Sequence, residues 1–330
     1  MHLPIRHFLW FMLLCAGLPV QAQMFKDSVL DALYAAERFD ELGRTGAQRL
    51  AVRADDPQAL LAVAVGALRG NDAARREAAI AQAEACVQRQ PQAAVCHYAL
   101  GAVLGIHAAS EGMMKLAASV GRVKGALQEA LALDPQWYAA RSAVVEFYAL
   151  APGIVGGSIA KAQETARAAP RPEQVRALQA RVALQEGRLE PALLTLMTVQ
   201  PGNDSALAAD VHAWARAAAF ALVNEGQPEK ARGYFERAQR EQPELAVAPY
   251  GLGRVLSDTG APAEALKQFE TAARLRGAAE LPIAYRAGIA QQALGQKDAA
   301  RESFKRYVAA GKGPKANLDD ARKRLEQLGA

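Results

Sequence analysis

A set of glycine, proline, alanine and aromatic residues recurs about every 34 residues in the C-terminal half of this 330-residue chain. The set is Gly226, Pro228, Ala231, Phe235 and Ala238, and 34 residues later Gly260, Pro262, Ala265, Phe269 and Ala272. Parts of it follow at an offset of 35 as Gly295, Ala300 and Phe304, and precede it at an offset of 39 as Gly187, Ala192 and Leu196. A fixed period of this length is the signature of a solenoid, in which each unit packs on its neighbours.

Each recurring residue has a physical role in a helix-turn-helix unit. Glycine adopts the left-handed conformation that ends the first helix, and proline is tolerated in the first turn of the second. Hydrophobic residues make up 51% of the chain but aromatic residues only 6%, so Ala and Leu dominate and favour helices. Gly101, Gly253 and Gly288 fall inside first helices, where each costs about 1 kcal/mol relative to Ala. We therefore expect close helix packing at these glycines.

This pattern resembles the tetratricopeptide repeat (TPR) family, whose units carry Leu-Gly, Ala, Phe, Ala and Pro at fixed places. Two stretches match that register: Leu252, Gly253, Ala265, Phe269 and Ala272, and earlier Ala231, Phe235, Ala238 and Pro243. The opening aromatic residue of the family pattern is mostly missing. The resemblance implies an all-α, right-handed superhelical solenoid of antiparallel helix pairs, with about eight repeats and a C-terminal capping helix. An unrelated helical bundle with coincidental spacing is the alternative.

The period divides the chain into a leader, a repeat array and a cap. The array covers residues 23–330, with irregular repeats over 26–172, more regular repeats over 173–315 and a capping helix over 316–330. Approximate units are 26–58, 59–93, 94–137, 138–172, 173–211, 212–245, 246–280 and 281–315. The charged helix from Leu318 to Leu328 supplies the polar outer face that a terminal repeat needs.

Residues 1–22 have the pattern of a secretory signal peptide. Arg6 precedes an apolar run from Phe8 to Leu18, which is too short to cross a bilayer, and Val20-Gln21-Ala22 places small residues before a cut. We expect cleavage after Ala22 and a periplasmic or secreted protein with no integral membrane segment. A lipoprotein modified at Cys15 and an uncleaved anchor are the alternatives.

Two cysteines remain after that cleavage. Cys86 and Cys96 each lie five residues from Pro91, which separates two helices, so the two thiols lie at similar heights on neighbouring antiparallel helices. A disulfide fits this placement in an oxidising compartment. Two small buried hydrophobic residues, or a zinc site completed by His97 and His107, are the alternatives.

The remaining sequence features carry no recognisable chemistry. The formal net charge is +5, but nearby acids accompany the basic residues, so we expect no nucleic-acid binding. The glycine-rich loop from Ala151 to Ser158 lacks the ending of a phosphate loop, and is either specialised or a rigid turn. His97, His107 and His212 show no catalytic spacing, and no cofactor is expected.

These features predict a non-enzymatic scaffold that binds a protein or a peptide on its concave face. A structural array that self-associates, or docks through its convex face or caps, is the second hypothesis. An enzyme of unrecognised type is the third, because a fold alone excludes no grafted site.

Helical spacing predicts which residues line the concave face. Tyr250, Arg254 and Asp258 lie on a face of their helix other than the one that carries Leu252 and Leu256. The predicted surface adds, from other units, Arg181, Arg216, Phe220, Asn224 and Tyr285. Aromatic, Arg and amide side chains suit a peptide, because rings provide contact area and the polar groups bond carbonyls or acids. The alternative is that Tyr250 and Tyr285 pack inside the core.

Overall fold

The computed structural model describes residues 23–68 and 72–329. The predicted signal peptide and its cleavage site after Ala22 lie outside the described residues. The described part contains seventeen α-helices. In chain order they are α1 (Ser28–Ala35), α2 (Phe39–Val52), α3 (Pro57–Ala67), α4 (Ala73–Arg89), α5 (Ala94–Ser110), α6 (Met113–Leu133), α7 (Tyr138–Leu150), α8 (Ile159–Arg167), α9 (Pro172–Gln185), α10 (Leu189–Thr198), α11 (Ser205–Asn224), α12 (Pro228–Glu241), α13 (Val247–Asp258), α14 (Pro262–Ala272), α15 (Ile283–Ala293), α16 (Lys297–Ala310) and α17 (Lys315–Gln327).

The helices pair in order into eight units, from α1 with α2 to α15 with α16, and α17 packs on α16 as a cap. First helices also contact the first helices of neighbouring units, as α3 does with α5, α9 with α11 and α13 with α15. First helices therefore lie on the inside of the curve. This arrangement confirms the prediction of an all-α, TPR-like solenoid.

Turn glycines and buried aromatic residues build the regular units as the repeat predicts. Gly226 and Gly260 have φ values of 74° and 84°, a conformation that residues with a Cβ rarely adopt. A Cβ on Gly253 would lie 2.6 Å from the Phe269 ring, and one on Gly288 would lie 2.7 Å from Phe304. The first helix therefore lies directly on the aromatic ring of the second, and glycine is what allows it.

Unit boundaries in the middle of the chain differ from the predicted ones. The predicted boundary after residue 211 falls inside α11, which begins at Ser205 because the Asp204 side chain accepts the backbone N–H of Leu207 and caps the helix. The capping helix begins at Lys315 rather than Leu318. The 39-residue offset thus reflects the long helix α11 as well as the loop before it.

The first six units form a turn that closes on itself. Helix α1 of the first unit contacts α11 of the sixth, and α7 of the fourth unit contacts α11 as well. A continuous cluster of buried apolar side chains accordingly extends from Met24 to Val255. The last two units and the cap contain two separate, smaller clusters.

The two predicted cysteines are bonded to each other. The Cys86–Cys96 disulfide links the end of α4 to the start of α5, with Cα atoms 5.5 Å apart. The His97 ring Nε2 lies 2.8 Å from the Pro91 carbonyl oxygen instead of facing the sulfurs. The zinc alternative needs two free thiolates, so this geometry does not build it.

The glycine-rich loop is a tight turn between α7 and α8. Gly156 has a φ of 97°, and a Cβ on Gly157 would lie 1.6 Å from the carbonyl oxygen of Ala151. The Ser158 hydroxyl accepts the backbone N–H of Lys161 and caps α8. The glycines are thus explained by backbone needs.

Helix α11 is, within the described ranges, the one helix long and apolar enough to cross a membrane. Half of that stretch is buried inside the solenoid, as expected for a core helix of a repeat array. Helix α11 is also the helix on which α1, α7, α9 and α13 converge.

Candidate functional site

Five of the predicted surface residues lie together on the inner side of the sixth and seventh units. The Arg254 Nη2 donates to Asn224 Oδ1 at 2.8 Å, and its guanidinium lies 5.9 Å from the centre of the Phe220 ring. The Phe220 and Tyr250 ring centres are 6.0 Å apart. Asp258 lies one helical turn beyond Arg254 and is exposed. We call Phe220, Asn224, Tyr250, Arg254 and Asp258 the inner patch.

Arg254 carries a charge that the protein only partly satisfies. The residue is 8% exposed, and its Nε atom is buried without a hydrogen-bond partner. It makes no ion pair within the described residues. Burial lowers the pKa of Arg254 and the nearby charge of Arg286 lowers it further, whereas the charges of Tyr250 and Asp258 raise it. A buried guanidinium with unused donors favours an anionic group.

Arg286 is a member of this surface that the sequence analysis missed. Its guanidinium lies 5.5 Å from the Tyr285 ring centre, and its Nε is likewise buried without a partner. The same charge acts on the pKa of both Arg254 and Tyr250. Arg286 lies among buried apolar residues of α15. A charged residue within such an apolar stretch is the sequence feature that indicates its place on this surface.

Both predicted tyrosines pack into the protein to a large extent. Tyr250 is 4% exposed, and its ring centre is 6.1 Å from that of Phe269. The Tyr285 hydroxyl donates to Asp320 Oδ2 at 2.8 Å and thereby ties the cap to α15. Burial raises the pKa of Tyr285 to about 12. The aromatic residues therefore support the core as well as the inner surface, as the alternative interpretation held.

The other two predicted residues lie away from the inner patch. Arg216 is close to His212 and Tyr234, where it acts on the pKa of both, together with Glu37 from the first unit. Arg216 therefore marks the junction between the first and sixth units. Arg181 Nε donates to Glu146 Oε1 at 2.9 Å, in the closed part of the solenoid.

A polar network fills the interior around Arg181. The Trp214 indole N–H donates to the same Glu146 oxygen at 3.2 Å. The hydroxyls of Tyr138 and Ser142 both donate to Asp210 Oδ2, the first at 3.0 Å. This network joins α7 to α9 and α11 across the interior.

Asp210 is the most perturbed acid of that network. It retains partial contact with solvent, yet protein surrounds its carboxylate on most sides. Burial raises the pKa of Asp210 to about 7, with the charge of Glu146 as the next cause. Because the Asp210 and Glu146 charges lie near one another, removing one charge by protonation stabilises the closed turn.

Within residues 23–68 and 72–329, no group of three or more His, Cys, Asp or Glu side chains is placed to hold a metal ion.

Comparison with known proteins supports the fold through structure rather than sequence. No family model matches this chain, and no curated protein matches it either. It is similar to a chain of the APC/C hetero-tetramer Cut9-Hcn1 at 14% identity and a TM-score of 0.50, over 91% of this chain and 54% of that one. It is similar to human IFIT1, in a dimer with PPP-AAAA, at 15% identity and a TM-score of 0.51, over 88% of this chain and 68% of that one.

A weaker likeness is to a tetratricopeptide repeat protein from Parabacteroides merdae, at 13% identity and a TM-score of 0.43, over 89% of this chain and 100% of that one. The chain spans about half (54%) of the length of the Cut9-Hcn1 chain. The two neighbours with TM-scores of 0.50 and 0.51 support the architecture, a TPR-like solenoid.

Proposed function

We propose that this chain is a non-enzymatic scaffold that binds a protein or peptide segment on the inner patch. The observation that carries the proposal is Arg254, a guanidinium that is 8% exposed, makes no ion pair within the described chain and lies beside a second cation, Arg286. A partner carboxylate would supply the missing acceptor and offset the repulsion between the two cations.

The surroundings of Arg254 define the kind of segment that fits. The Phe220 ring lies next to the guanidinium and gives apolar contact area, while Asn224 offers an amide to a backbone. Inner-surface binding by a TPR-like solenoid is consistent with the extended concave surfaces that repeat proteins use. We therefore infer a partner segment with an acidic group, either a side chain or a terminal carboxylate, next to an apolar residue.

Selection of random peptides displayed on phage tests this function. The mature chain is immobilised, and enriched peptides are resynthesised and titrated against Arg254→Met, which keeps the length of the side chain but removes its charge. We expect enrichment of acidic groups beside apolar residues and at least tenfold weaker binding to Arg254→Met. Tyr250 is left unchanged because it packs on Phe269.

Arg274→Met is the matched control, because Arg274 is an exposed arginine that follows α14. It should bind the enriched peptides as the wild type does. Enriched peptides without acids, or equal binding by Arg254→Met and wild type, would contradict the proposal.

Export to the periplasm or the exterior is part of the proposal. The Cys86–Cys96 disulfide supports an oxidising compartment. Intact mass of the protein recovered from its native cell compartment should correspond to a chain that begins at Gln23. Recovery of full-length protein from the cytoplasm would contradict export.

Self-association is the second candidate function, because two large apolar side chains are almost fully exposed away from the inner patch. Ile154 in the α7–α8 turn is 95% exposed and Met114 at the start of α6 is 89% exposed. Sedimentation velocity of the wild type and of an Ile154→Ser, Met114→Ser variant separates this function from the first. Oligomers that dissociate in the variant would favour self-association.

A further inference from the structure

The first described residues of the chain form an irregular, bent arm that lies across one rim of the solenoid. We call residues 23–27 the N-terminal arm. The arm lies near the starts of α3, α5, α7, α9 and α11 and leads into α1 at Ser28. The Met24 N–H donates to Ser205 Oγ at 3.1 Å, and the Lys26 N–H donates to Gln58 Oε1 at 2.8 Å. The arm is thus held by side chains of the second and sixth units.

This pattern of contacts is that of a bound peptide. Side chains of the sixth and second units accept the N–H groups of Met24 and Lys26. The Phe25 N–H in between donates to Asp31 Oδ1 at 3.1 Å, and the Ser205 hydroxyl donates to the same oxygen at 2.7 Å. Met24 and Ser205 are 181 residues apart, so the binding site is built by a distant part of the fold.

The side chains of the arm are deeply buried. Met24 is 3% exposed and Phe25 is 0% exposed. Under the proposed cleavage after Ala22 they would stand next to the new N-terminus, where the residues of most domains are poorly ordered unless something holds them. The Phe25 ring packs edge-on to Tyr34 with centres 6.0 Å apart. Two adjacent apolar side chains therefore anchor the arm, and main-chain bonds set its direction.

Space remains beside the arm on the same rim. A cleft of about 380 Å³ is bounded by the arm and by residues at or near the starts of α3, α5, α7 and α9, among them Gln58, Val95, Trp137 and Arg171. Trp137 is 9% exposed, so the cleft has an aromatic wall. A peptide longer than the arm would find further contacts there.

We propose that the N-terminal arm is an internal ligand that occupies a peptide site on the rim, and that this site takes in trans a peptide with two adjacent bulky apolar side chains. The side chains of Gln58 and Ser205 accept two backbone N–H groups of the peptide. Its two apolar side chains are buried in the core. The arm competes with an external peptide at the high effective concentration of a tethered group. The rim site and the inner patch consist of different residues. A negative result for one proposal therefore leaves the other unaffected.

Hydrogen exchange of the mature wild-type chain is the first test. The amides of Met24 and Lys26 should exchange at least 100-fold more slowly than in an unstructured peptide, since both donate to side chains and the Met24 side chain is buried in the core. Exchange at the unstructured rate would show that the arm is not bound, and would overturn the proposal.

Peptide binding is the second test. The probe is a fluorescently labelled peptide with the sequence of residues 23–31, and the control peptide has serine in place of Met and Phe. A Met24→Ser, Phe25→Ser variant of the whole mature chain should bind the probe at least tenfold more tightly than the wild type does, because its own arm competes weakly. The control peptide should bind neither protein. A variant with wild-type circular dichroism that fails to bind the probe would overturn the proposal.

A third measurement keeps the test decisive if that variant folds poorly. Unlabelled probe peptide added to the wild type at millimolar concentration should accelerate exchange of the Met24 and Lys26 amides, because it displaces the arm. The control peptide should leave both rates unchanged. Unchanged rates with both peptides would assign the arm a purely structural role.

Discussion

The first six units and the last two hold together by different kinds of contact. In the first six, helices from distant units meet across the interior, and α1 and α7 both contact α11. In the last two, α13 and α15 rest on their aromatic neighbours Phe269 and Phe304 through glycines. Closure in one region and strict repetition in the other are therefore two ways to bury the same kind of helix pair.

This difference goes with a difference in sequence regularity. The first four units lack most of the repeat residues, whereas the sixth unit carries them and also takes part in the closed turn. A unit that packs only on its neighbours must repeat the residues of that contact, so Ala265, Phe269 and Ala272 recur at a fixed period. A unit that also meets a distant partner is shaped by that partner. Glu146 and Asp210, for example, come from the fourth and sixth units and lie close enough for the Glu146 charge to raise the pKa of Asp210.

Replacing a repeat aromatic residue should have the largest effect and should stay local. Phe269→Ala removes a fully buried ring of the seventh unit and should destabilise the protein by about 3 to 5 kcal/mol. Hydrogen exchange should show α13 to α17 opening while α3 to α9 stay protected. Glu270→Ala, an exposed change on the same helix, is the control. Uniform loss of protection over all units would show that the two regions unfold as one.

Removing the disulfide should have an intermediate effect on the closed region. Cys86→Ala with Cys96→Ala opens a loop with a sequence separation of 10, and should lower the free energy of unfolding by about 2 to 3 kcal/mol. Urea denaturation of the variant and of the reduced wild type measures the loss. Equal stability of the oxidised wild type and the variant would show that the closed turn alone fixes the junction between α4 and α5.

Titration of Asp210 should have the smallest of the three effects and should be confined to the closed region. Its pKa is about 7 in the folded protein, above the unfolded value of about 3.9. The folded state therefore binds the extra proton, and stability falls as the pH rises from about 4 through about 7. We expect a decline on the order of 2 kcal/mol, because residual solvent contact weakens the full effect.

Asp210→Asn should abolish that decline, and urea denaturation at a series of pH values measures it. Glu164→Gln, which changes an exposed carboxylate of α8, should leave the decline in place. A variant that declines like the wild type would assign the effect to another group.

Short-range features of the fold could be predicted from the sequence, because they depend on residues within one period. The left-handed turn at Gly260, the first-turn proline at Pro262 and the close packing at Gly253 all follow from local chemistry and are found in the structure. The contact of Met24 with Ser205 spans 181 residues and leaves no periodic mark. The repeat spacing in the sequence therefore does not predict the arm or the closed turn.

The same distinction between short-range and long-range contacts applies to the candidate site. Phe220, Asn224 and Arg254 were predicted to share a surface because helical spacing is local, and they do contact one another. Arg181 was assigned to that surface by the same spacing, but the distant residue Trp214 shares its acceptor Glu146 and places Arg181 in the interior network. Tyr285 was assigned without knowledge of the cap, whose Asp320 accepts its hydroxyl proton.

The position of the disulfide affects which joints between units can deform when the solenoid is stretched. A superhelix stretches or bends by small rotations at the joints between successive units, and the Cys86–Cys96 bond crosses such a joint, from the end of the second unit to the start of the third. The disulfide restricts rotation at that joint. A pulling force along the chain is therefore expected to rotate the other joints instead. Those after α11 lack the cross-turn contacts of the first six units, which makes the C-terminal end the more elastic end of the molecule.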